Sequence, residues 1–164
     1  SMDDHVQSVS QLFSAARAEF SRLKTYYFHN CVYERVWRAG ADRFVEAIPT
    51  EQVLRTYGRN HKLIVVGDAS MSPYELFTVG GSVEHMNPES GLAWLERFVA
   101  QWPKAAWLNP IAEPHWNWTQ TIGAIRDVFG GRMYPLTLAG IERSMSDLAG
   151  RRAGGSRTPG VARS

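Results

Sequence analysis

The hydrophobic and polar positions along the chain follow two periods, and each period predicts one type of element. Apolar residues three or four positions apart predict helices at 6–23, 52–57, 92–102, 120–129 and 138–148. Short apolar runs predict strands at 63–66, 105–108 and 132–136, and two more flank a predicted turn at His29-Asn30. This alternation indicates an α/β fold with a doubly wound, mainly parallel sheet and helices on both faces.

The run Leu63 to Val66 is the most informative of these strands. It is apolar on both faces, as strands of parallel sheets are, and it breaks at Gly67 into Asp68 and two serines, Ser70 and Ser72. Ligands of open α/β sheets bind beyond the carboxyl ends of the strands, and Mg²⁺ prefers oxygen ligands. The alternative is that Asp68 and Ser70 only stabilise a turn. Taken alone, the segment leaves both interpretations open.

Two further segments are irregular by composition. Residues 72–90 contain Pro, Gly and Ser, and they predict a long loop of the kind that is often functional beside a strand's carboxyl end. Residues 150–164 are rich in Gly, Ser and Arg, and they predict a disordered basic tail. Residues 1–149 are therefore expected to form one domain.

Composition argues against several classes of protein: nucleic-acid-binding, disulfide-rich and membrane-spanning proteins. A net charge of +2 gives no reason to expect nucleic acid, because the pI near 8.8 comes largely from the tail. Cys31 is the single cysteine, which excludes an internal disulfide framework and a cysteine-based zinc site. The chain shows neither an apolar run of about 20 residues nor a signal peptide, so we expect no membrane span and a cytoplasmic location.

Other catalytic patterns are weak. The segment Val79 to Ser82 lacks the spacing and the Lys of a phosphate-binding loop, and the chain has no nucleophilic-serine elbow. His115 lies beside Glu113, and His85 follows Glu84, but an isolated loop histidine is more often structural. Of the candidate sites considered, a cation site at Asp68 is therefore the one with the fewest alternatives in the sequence.

Six segments, taken together and in order, resemble the bacterial von Willebrand factor A domain proteins of the CoxE-like group. They are Ser1–His5, Tyr27–Asn30, Pro49-Thr50, Val66–Leu76, Trp107–Pro110 and Gly131–Leu136. The resemblance runs from residue 1 to about residue 150. It implies a doubly wound sheet with a metal-ion-dependent adhesion site for Mg²⁺ or Mn²⁺. That family's site uses an Asp-x-Ser/Gly-x-Ser loop after the first strand, a Thr from a second loop and an Asp after the fourth strand.

The family motif can be placed on this chain in two ways. In the first, residues 68–72 are themselves the Asp-x-Ser-x-Ser loop, which they match. That loop should lead straight into a helix, yet Pro73 and a Gly-rich loop are expected to follow. The later Thr and Asp are also not found, because Asp127 and Asp147 fall in predicted helices.

The second placement is preferred. Asp68 then matches the Asp after the fourth strand, Thr50 the loop threonine and Ser1 the last serine of the first loop, so the predicted metal ligands are Asp68, Thr50 and Ser1. This placement implies that the first, central strand lies upstream of Ser1 and is missing from this chain. The alternative is that Ser1-Met2 is a cloning remnant and the match arises by chance.

A missing strand has structural consequences. Its place would be between the Tyr26 and Leu63 strands, so each would have an unpaired edge. We expect the chain either to pair these two strands or to recruit a partner, with a homo-oligomer as one possibility. Mg²⁺ affinity should be poor, because one carboxylate and two hydroxyls supply little charge.

The resemblance also implies a function. It indicates a non-enzymatic, metal-dependent protein-binding module, an adaptor for a MoxR-type AAA+ ATPase in the maturation or metal insertion of an enzyme complex. Two alternatives remain. One is a metal-dependent hydrolase that uses Asp68 with His85 or His115. The other is a structural domain whose metal site is vestigial.

Overall fold

The computed structural model describes residues 2–20, 22–38, 46–81 and 88–150, and describes side chains from Val6 onward. Its helices and strands follow the predicted alternation in most of the chain. In order they are α1 (Met2–Glu19), β1 (Tyr26–Tyr27), β2 (Arg35–Arg38), β3 (Ala47–Pro49), α2 (Thr50–Thr56), β4 (Leu63–Val66), α3 (Pro73–Phe77), α4 (Gly91–Gln101), β5 (Ala105–Asn109), a 3₁₀ helix (Glu113–Trp118), α5 (Gln120–Val128), β6 (Met133–Pro135) and α6 (Leu138–Leu148).

A parallel three-stranded sheet has the order β4-β5-β6. Leu63 lies opposite Ala105 in the β4–β5 pair, and Trp107 lies opposite Met133 in the β5–β6 pair. All five residues of the central strand β5 are buried. The short apolar runs of the sequence therefore form the strands of a parallel sheet, as predicted.

Helices cover both faces of this sheet, because successive side chains of a strand point to opposite faces. Ile64 and Val66 pack into an apolar cluster with residues of α1 and α6. Leu63 and Val65 pack into a second cluster with residues of α4 and α5. The predicted α/β class is confirmed to this extent.

The remaining strands form a separate antiparallel sheet in the order β1-β2-β3. Tyr27 lies opposite Trp37, so two strands on either side of this segment do pair, as predicted. Residues 28–34 connect them, however, and not a two-residue turn at His29-Asn30 as predicted. The second strand of this pair is the central one of the sheet, because Val36 also lies opposite Ile48 of β3. One exposed face gives a central antiparallel strand the same alternation as an edge strand, so its pairing could not be read from the pattern.

The predictions for the loop, the tail and the strand edges have different outcomes. The predicted loop at 72–90 contains the helix α3, and residues 82–87 lie outside the described residues. Of the predicted tail, Gly150 is described and residues 151–164 are not. Within the described part of the chain, β1 and β4 do not pair. No helix in that part is long and apolar enough to cross a bilayer.

Candidate functional site

The candidate site lies at the carboxyl edge of the parallel sheet, where Asp68 follows β4. The main-chain N–H of Gly67 still donates to the Leu108 carbonyl at 3.1 Å, so the chain leaves the sheet directly before Asp68. The carboxyl ends of β5, at Asn109, and β6, at Pro135, belong to the same edge, because the three strands are parallel. This edge is where open α/β sheets bind ligands.

The loop at Asp68 is held in a tight conformation. The Asp68 Oδ1 accepts a hydrogen bond from the Ser70 main-chain N–H at 3.0 Å. Between them, the buried residue Ala69 has a φ of 57°, in the left-handed region that non-glycine residues seldom adopt. The Asp68 side chain itself is exposed. Among the described residues, the bond from the Ser70 N–H is the one hydrogen bond to this carboxylate, and because a carboxylate has about four lone-pair positions, the others remain for a cation.

Asn109, for which the sequence predicted no role in the site, fixes the main chain at Asp68. Its Nδ2 donates to the Asp68 carbonyl at 2.9 Å, and its Oδ1 accepts from the Ile111 N–H at 2.8 Å. Trp107 fixes the preceding residue of the main chain, because its Nε1 donates to the Gly67 carbonyl at 2.7 Å. One feature of the sequence could have indicated this role of Asn109: it is a polar residue at the end of a fully apolar strand, directly before Pro110.

The segment after the Asp68 loop forms a helix, so the expectation that Pro73 opens an irregular loop is wrong. The Ser72 Oγ accepts from the Glu75 N–H at 3.2 Å, and the Glu75 Oε2 accepts from the Ser72 N–H at 3.0 Å. This reciprocal capping box starts α3, and Pro73 occupies the first turn, where its missing N–H has no cost. Ser72 is thus engaged in capping, and both Ser70 and Ser72 are exposed.

Thr50 is fully buried at the start of α2. Its Oγ1 donates to the Tyr33 carbonyl at 2.5 Å, and its N–H donates to the Glu34 carbonyl at 2.8 Å. Pro49 occupies the N-cap position of α2. The Tyr33 hydroxyl donates in turn to the Glu75 carbonyl at 2.8 Å, and burial raises the pKa of Tyr33. Thr50 and α3 are therefore linked through Tyr33.

Thr50 and Asp68 form hydrogen bonds with different partners, and metal binding by Asp68 together with Thr50 and Ser1 stays a prediction. In the part of the chain that the structure describes, no hydrogen bond joins Thr50 to Asp68. Ser1 lies outside the described residues. No group of three or more His, Cys, Asp or Glu side chains that could hold a metal is found among residues 6–20, 22–38, 46–81 and 88–150.

The residues present can hold a hard cation, but only weakly. Mg²⁺ and Mn²⁺ favour oxygen ligands, and Asp68 offers an exposed carboxylate on a loop whose main chain is fixed. A single carboxylate leaves most positions around such a cation to water or to another molecule. The site would therefore keep open coordination positions.

Of the two histidines of the hydrolase alternative, the structure describes His115. His115 is exposed in the 3₁₀ helix and stacks on Trp118, with ring centroids 4.3 Å apart and an angle of 25° between the planes. His85 lies outside the described residues. Within the described residues, no hydrogen bond places His115 next to Asp68.

Large apolar side chains are exposed on the segments that follow the three parallel strands. Trp118, after β5, is 78% exposed, and Tyr74, after β4, is 61% exposed. Exposed aromatic residues of this kind are typical of protein–protein contact surfaces. The full set is Tyr74, Phe77 and Val79 after β4, Trp118 after β5, and Leu138 after β6.

Comparison of the chain with protein-family models, with curated proteins and with solved structures finds no match. The likeness to von Willebrand factor A domains therefore rests on the six sequence segments alone.

Proposed function

We propose that the chain is a non-enzymatic protein-binding module whose contact surface is the carboxyl edge of the β4-β5-β6 sheet, with a divalent cation at Asp68. One observation carries the proposal. The exposed carboxylate of Asp68 and the five exposed apolar side chains all follow the carboxyl ends of the same parallel strands. A charged side chain and exposed aromatic side chains on the segments that follow one edge of a sheet are suited to a protein partner.

In this proposal, a cation links the carboxylate of Asp68 to the partner that contacts the exposed apolar side chains. A cation bound by Asp68 keeps several waters, and an Asp or Glu of the partner can displace one of them. Cation and partner would then strengthen each other's binding by the same factor, because binding linkage is reciprocal. We expect weak cation binding by the free chain and tighter binding in the complex.

The identity of the partner comes from the resemblance alone. The resemblance to von Willebrand factor A domain proteins of the CoxE-like group implies a doubly wound sheet. It also implies that the chain functions together with a MoxR-type AAA+ ATPase. The parallel sheet, the helices on both of its faces and Asp68 at its carboxyl edge support this assignment. We therefore propose an adaptor role in the maturation or metal insertion of an enzyme complex.

The test is capture of a purified MoxR-type ATPase from the same genome on the immobilised chain. We expect capture in Mg²⁺, loss of capture in EDTA, and loss with Asp68→Asn even in Mg²⁺. The matched control is Asp127→Asn, which changes another exposed carboxylate, on α5, and should leave capture intact. Capture that is equal in EDTA and with Asp68→Asn would contradict the proposal.

Thr50→Ala is expected to lose capture as well, and it needs a separate control. Thr50 is buried, and alanine removes the hydrogen bond that its Oγ1 donates to the Tyr33 carbonyl, so the variant should also be less stable. Thermal unfolding of the variant, followed by circular dichroism, shows whether the domain is still folded at the capture temperature. If folded Thr50→Ala still captures the ATPase, Thr50 is not part of the site. The conclusion from Asp68→Asn is not affected by that outcome.

A further inference from the structure

The helix α3, which follows the Asp68 loop, is too short to be stable by itself. It has five residues, whereas isolated helices of fewer than about 12 residues are only marginally stable in water. The capping box of Ser72 and Glu75 fixes its start, and at its end the N–H of Thr78 donates to the Tyr74 carbonyl at 3.1 Å. The order of α3 must therefore depend on contacts with the rest of the domain.

One of these contacts is made by the main-chain carbonyl of Glu75. Within the described residues, no main-chain N–H donates to this carbonyl, because the helix ends before it can supply one. The Tyr33 hydroxyl donates to it instead, at 2.8 Å. Burial raises the pKa of Tyr33, so the hydroxyl stays protonated and remains a donor over the ordinary pH range.

The space around the Glu75 carbonyl is closely filled. A Cβ at Gly91, the first residue of α4, would lie 3.4 Å from the Glu75 oxygen and 2.4 Å from the Sγ of Cys31. Cys31 is buried and lies two positions before Tyr33, so the segment that carries Tyr33 packs against α4 as well as α3. α3 therefore lies against a closely packed part of the domain.

Tyr33 is itself held in place by Thr50. Tyr33 belongs to an irregular segment before β2, so no strand pairing fixes its main chain. The Thr50 Oγ1 donates to the Tyr33 carbonyl, and the Thr50 N–H donates to the carbonyl of the next residue, Glu34. A series of hydrogen bonds thus runs from the buried first residue of α2 through Tyr33 to α3.

Three of the five exposed apolar side chains at the carboxyl edge depend on α3. Tyr74 and Phe77 lie on the helix, and Val79 lies two residues beyond its end. Leu76 is fully buried in the core and anchors the helix by one side chain. A change in the direction or the order of α3 would therefore move all three exposed side chains.

We propose that Tyr33 is a positioning residue of the contact surface, and that Thr50 acts on this surface through Tyr33 without needing a cation. The inference rests on the proposed function, because it takes α3 as part of the contact surface. The role of Thr50 as a metal ligand requires a cation, whereas its bond to the Tyr33 carbonyl does not. Experiments in EDTA therefore separate the two roles.

The first test is hydrogen exchange of the free chain in EDTA, followed by NMR. The readouts are the amides of Leu76 and Thr78, whose N–H groups donate to carbonyls at the start of α3. Tyr33→Phe removes the hydroxyl and keeps the ring, so the domain should stay folded. We expect both amides to exchange at least about threefold faster in this variant, because α3 opens more easily.

Tyr26→Phe is the matched control. It also removes one hydroxyl from a half-buried tyrosine, and that hydroxyl pairs with the Tyr57 hydroxyl at 2.6 Å, elsewhere in the domain. Exchange at the two α3 amides should stay within about twofold of the unchanged chain. The comparison of the two variants separates an effect on α3 from a general loss of stability.

Two variants of Thr50 test its action through Tyr33. Thr50→Val keeps the shape of the side chain and removes the hydroxyl, whereas Thr50→Ser keeps the hydroxyl. In EDTA we expect at least about threefold faster exchange at the α3 amides in Thr50→Val and the original rates in Thr50→Ser. Combined with Tyr33→Phe, Thr50→Val should add less than about a further twofold. Unchanged rates in Thr50→Val, or effects of the two variants that simply add, would show that Thr50 does not act through Tyr33.

Capture of the MoxR-type ATPase in Mg²⁺ tests the link to the contact surface. Tyr33→Phe should bind the ATPase at least about threefold more weakly, and Tyr26→Phe as tightly as the unchanged chain. Unchanged exchange of α3 in Tyr33→Phe, or unchanged capture by this variant, would overturn the proposal. If the unchanged chain captures no ATPase, the proposed function fails, whereas the exchange rates still decide whether Tyr33 and Thr50 fix α3.

Discussion

The side-chain amide of Asn109 donates to the main-chain carbonyl of Asp68 at 2.9 Å, and this bond ties the candidate ligand loop to the central strand of the parallel sheet. Asn109 is fully buried, and its oxygen accepts from the Ile111 N–H, so one side chain holds the loops after both β4 and β5. The buried side chain of Asn109 thus fixes the loop that carries the exposed carboxylate of Asp68.

Removal of this support should lower stability. Asn109→Ala leaves the Ile111 N–H without its partner and removes the bond to the Asp68 carbonyl, so we expect a loss of about 2–4 kcal/mol in the free energy of unfolding. Urea denaturation measures it. Asn117→Ala, at an exposed position of the 3₁₀ helix, is the matched control, with an expected change within about 0.5 kcal/mol. Equal effects of the two variants would show that Asn109 does not support the loop.

Two helical glycines should respond in opposite ways to alanine. A Cβ at Gly140 in α6 would lie 1.9 Å from the Pro135 main-chain oxygen, so we expect Gly140→Ala to cost at least about 2 kcal/mol. A Cβ at Gly123 in α5 meets nothing within 4 Å, so Gly123→Ala should stabilise by about 0.5–1 kcal/mol. Thermal unfolding of both variants checks the difference. A stable Gly140→Ala would contradict the close packing of α6 on β6.

Stability should fall in alkaline solution. Burial raises the pKa of Cys31 from 9.0 to about 12, and burial together with hydrogen bonding raises that of Tyr26 and Tyr134 from 10.0 to about 12. The folded state therefore holds protons that the unfolded state releases, so the free energy of unfolding decreases as pH rises from about 9 to about 12.

Urea denaturation at a series of pH values measures this decrease. In Cys31→Ala the decline should begin about one pH unit later, near the ordinary tyrosine value of 10.0. A free energy of unfolding that stays constant across this range would mean that these groups titrate in the folded state as they do in the unfolded chain.

Local patterns in the sequence predicted most of the parallel sheet and its helices. Leu63 to Val66 could be recognised as a strand because a short apolar run has few other structures available. The start of α3 was also visible, since Ser72 and Glu75 have the spacing of a capping box and Pro73 favours a first helical turn. The missed helix was therefore an error of interpretation.

Tertiary contacts were beyond the reach of such patterns. β3 has three residues and exists because Ile48 lies opposite Val36, a pairing that no local period indicates. The position of Asn109 beneath Asp68 depends on strands far apart in sequence. For the same reason, Thr50 could be suggested as a ligand by resemblance, but its hydrogen bond to Tyr33 could not be foreseen.

The most direct test of the account is a Mg²⁺ titration followed by NMR at the Ser70 amide, whose N–H donates to the Asp68 Oδ1. We predict a saturable shift of this resonance with a dissociation constant of about 1 mM, because one carboxylate supplies little charge. The shift should persist in Asp127→Asn and vanish in Asp68→Asn. A Ser70 amide that Mg²⁺ leaves unmoved, or that shifts equally in Asp68→Asn, would contradict a cation site at Asp68.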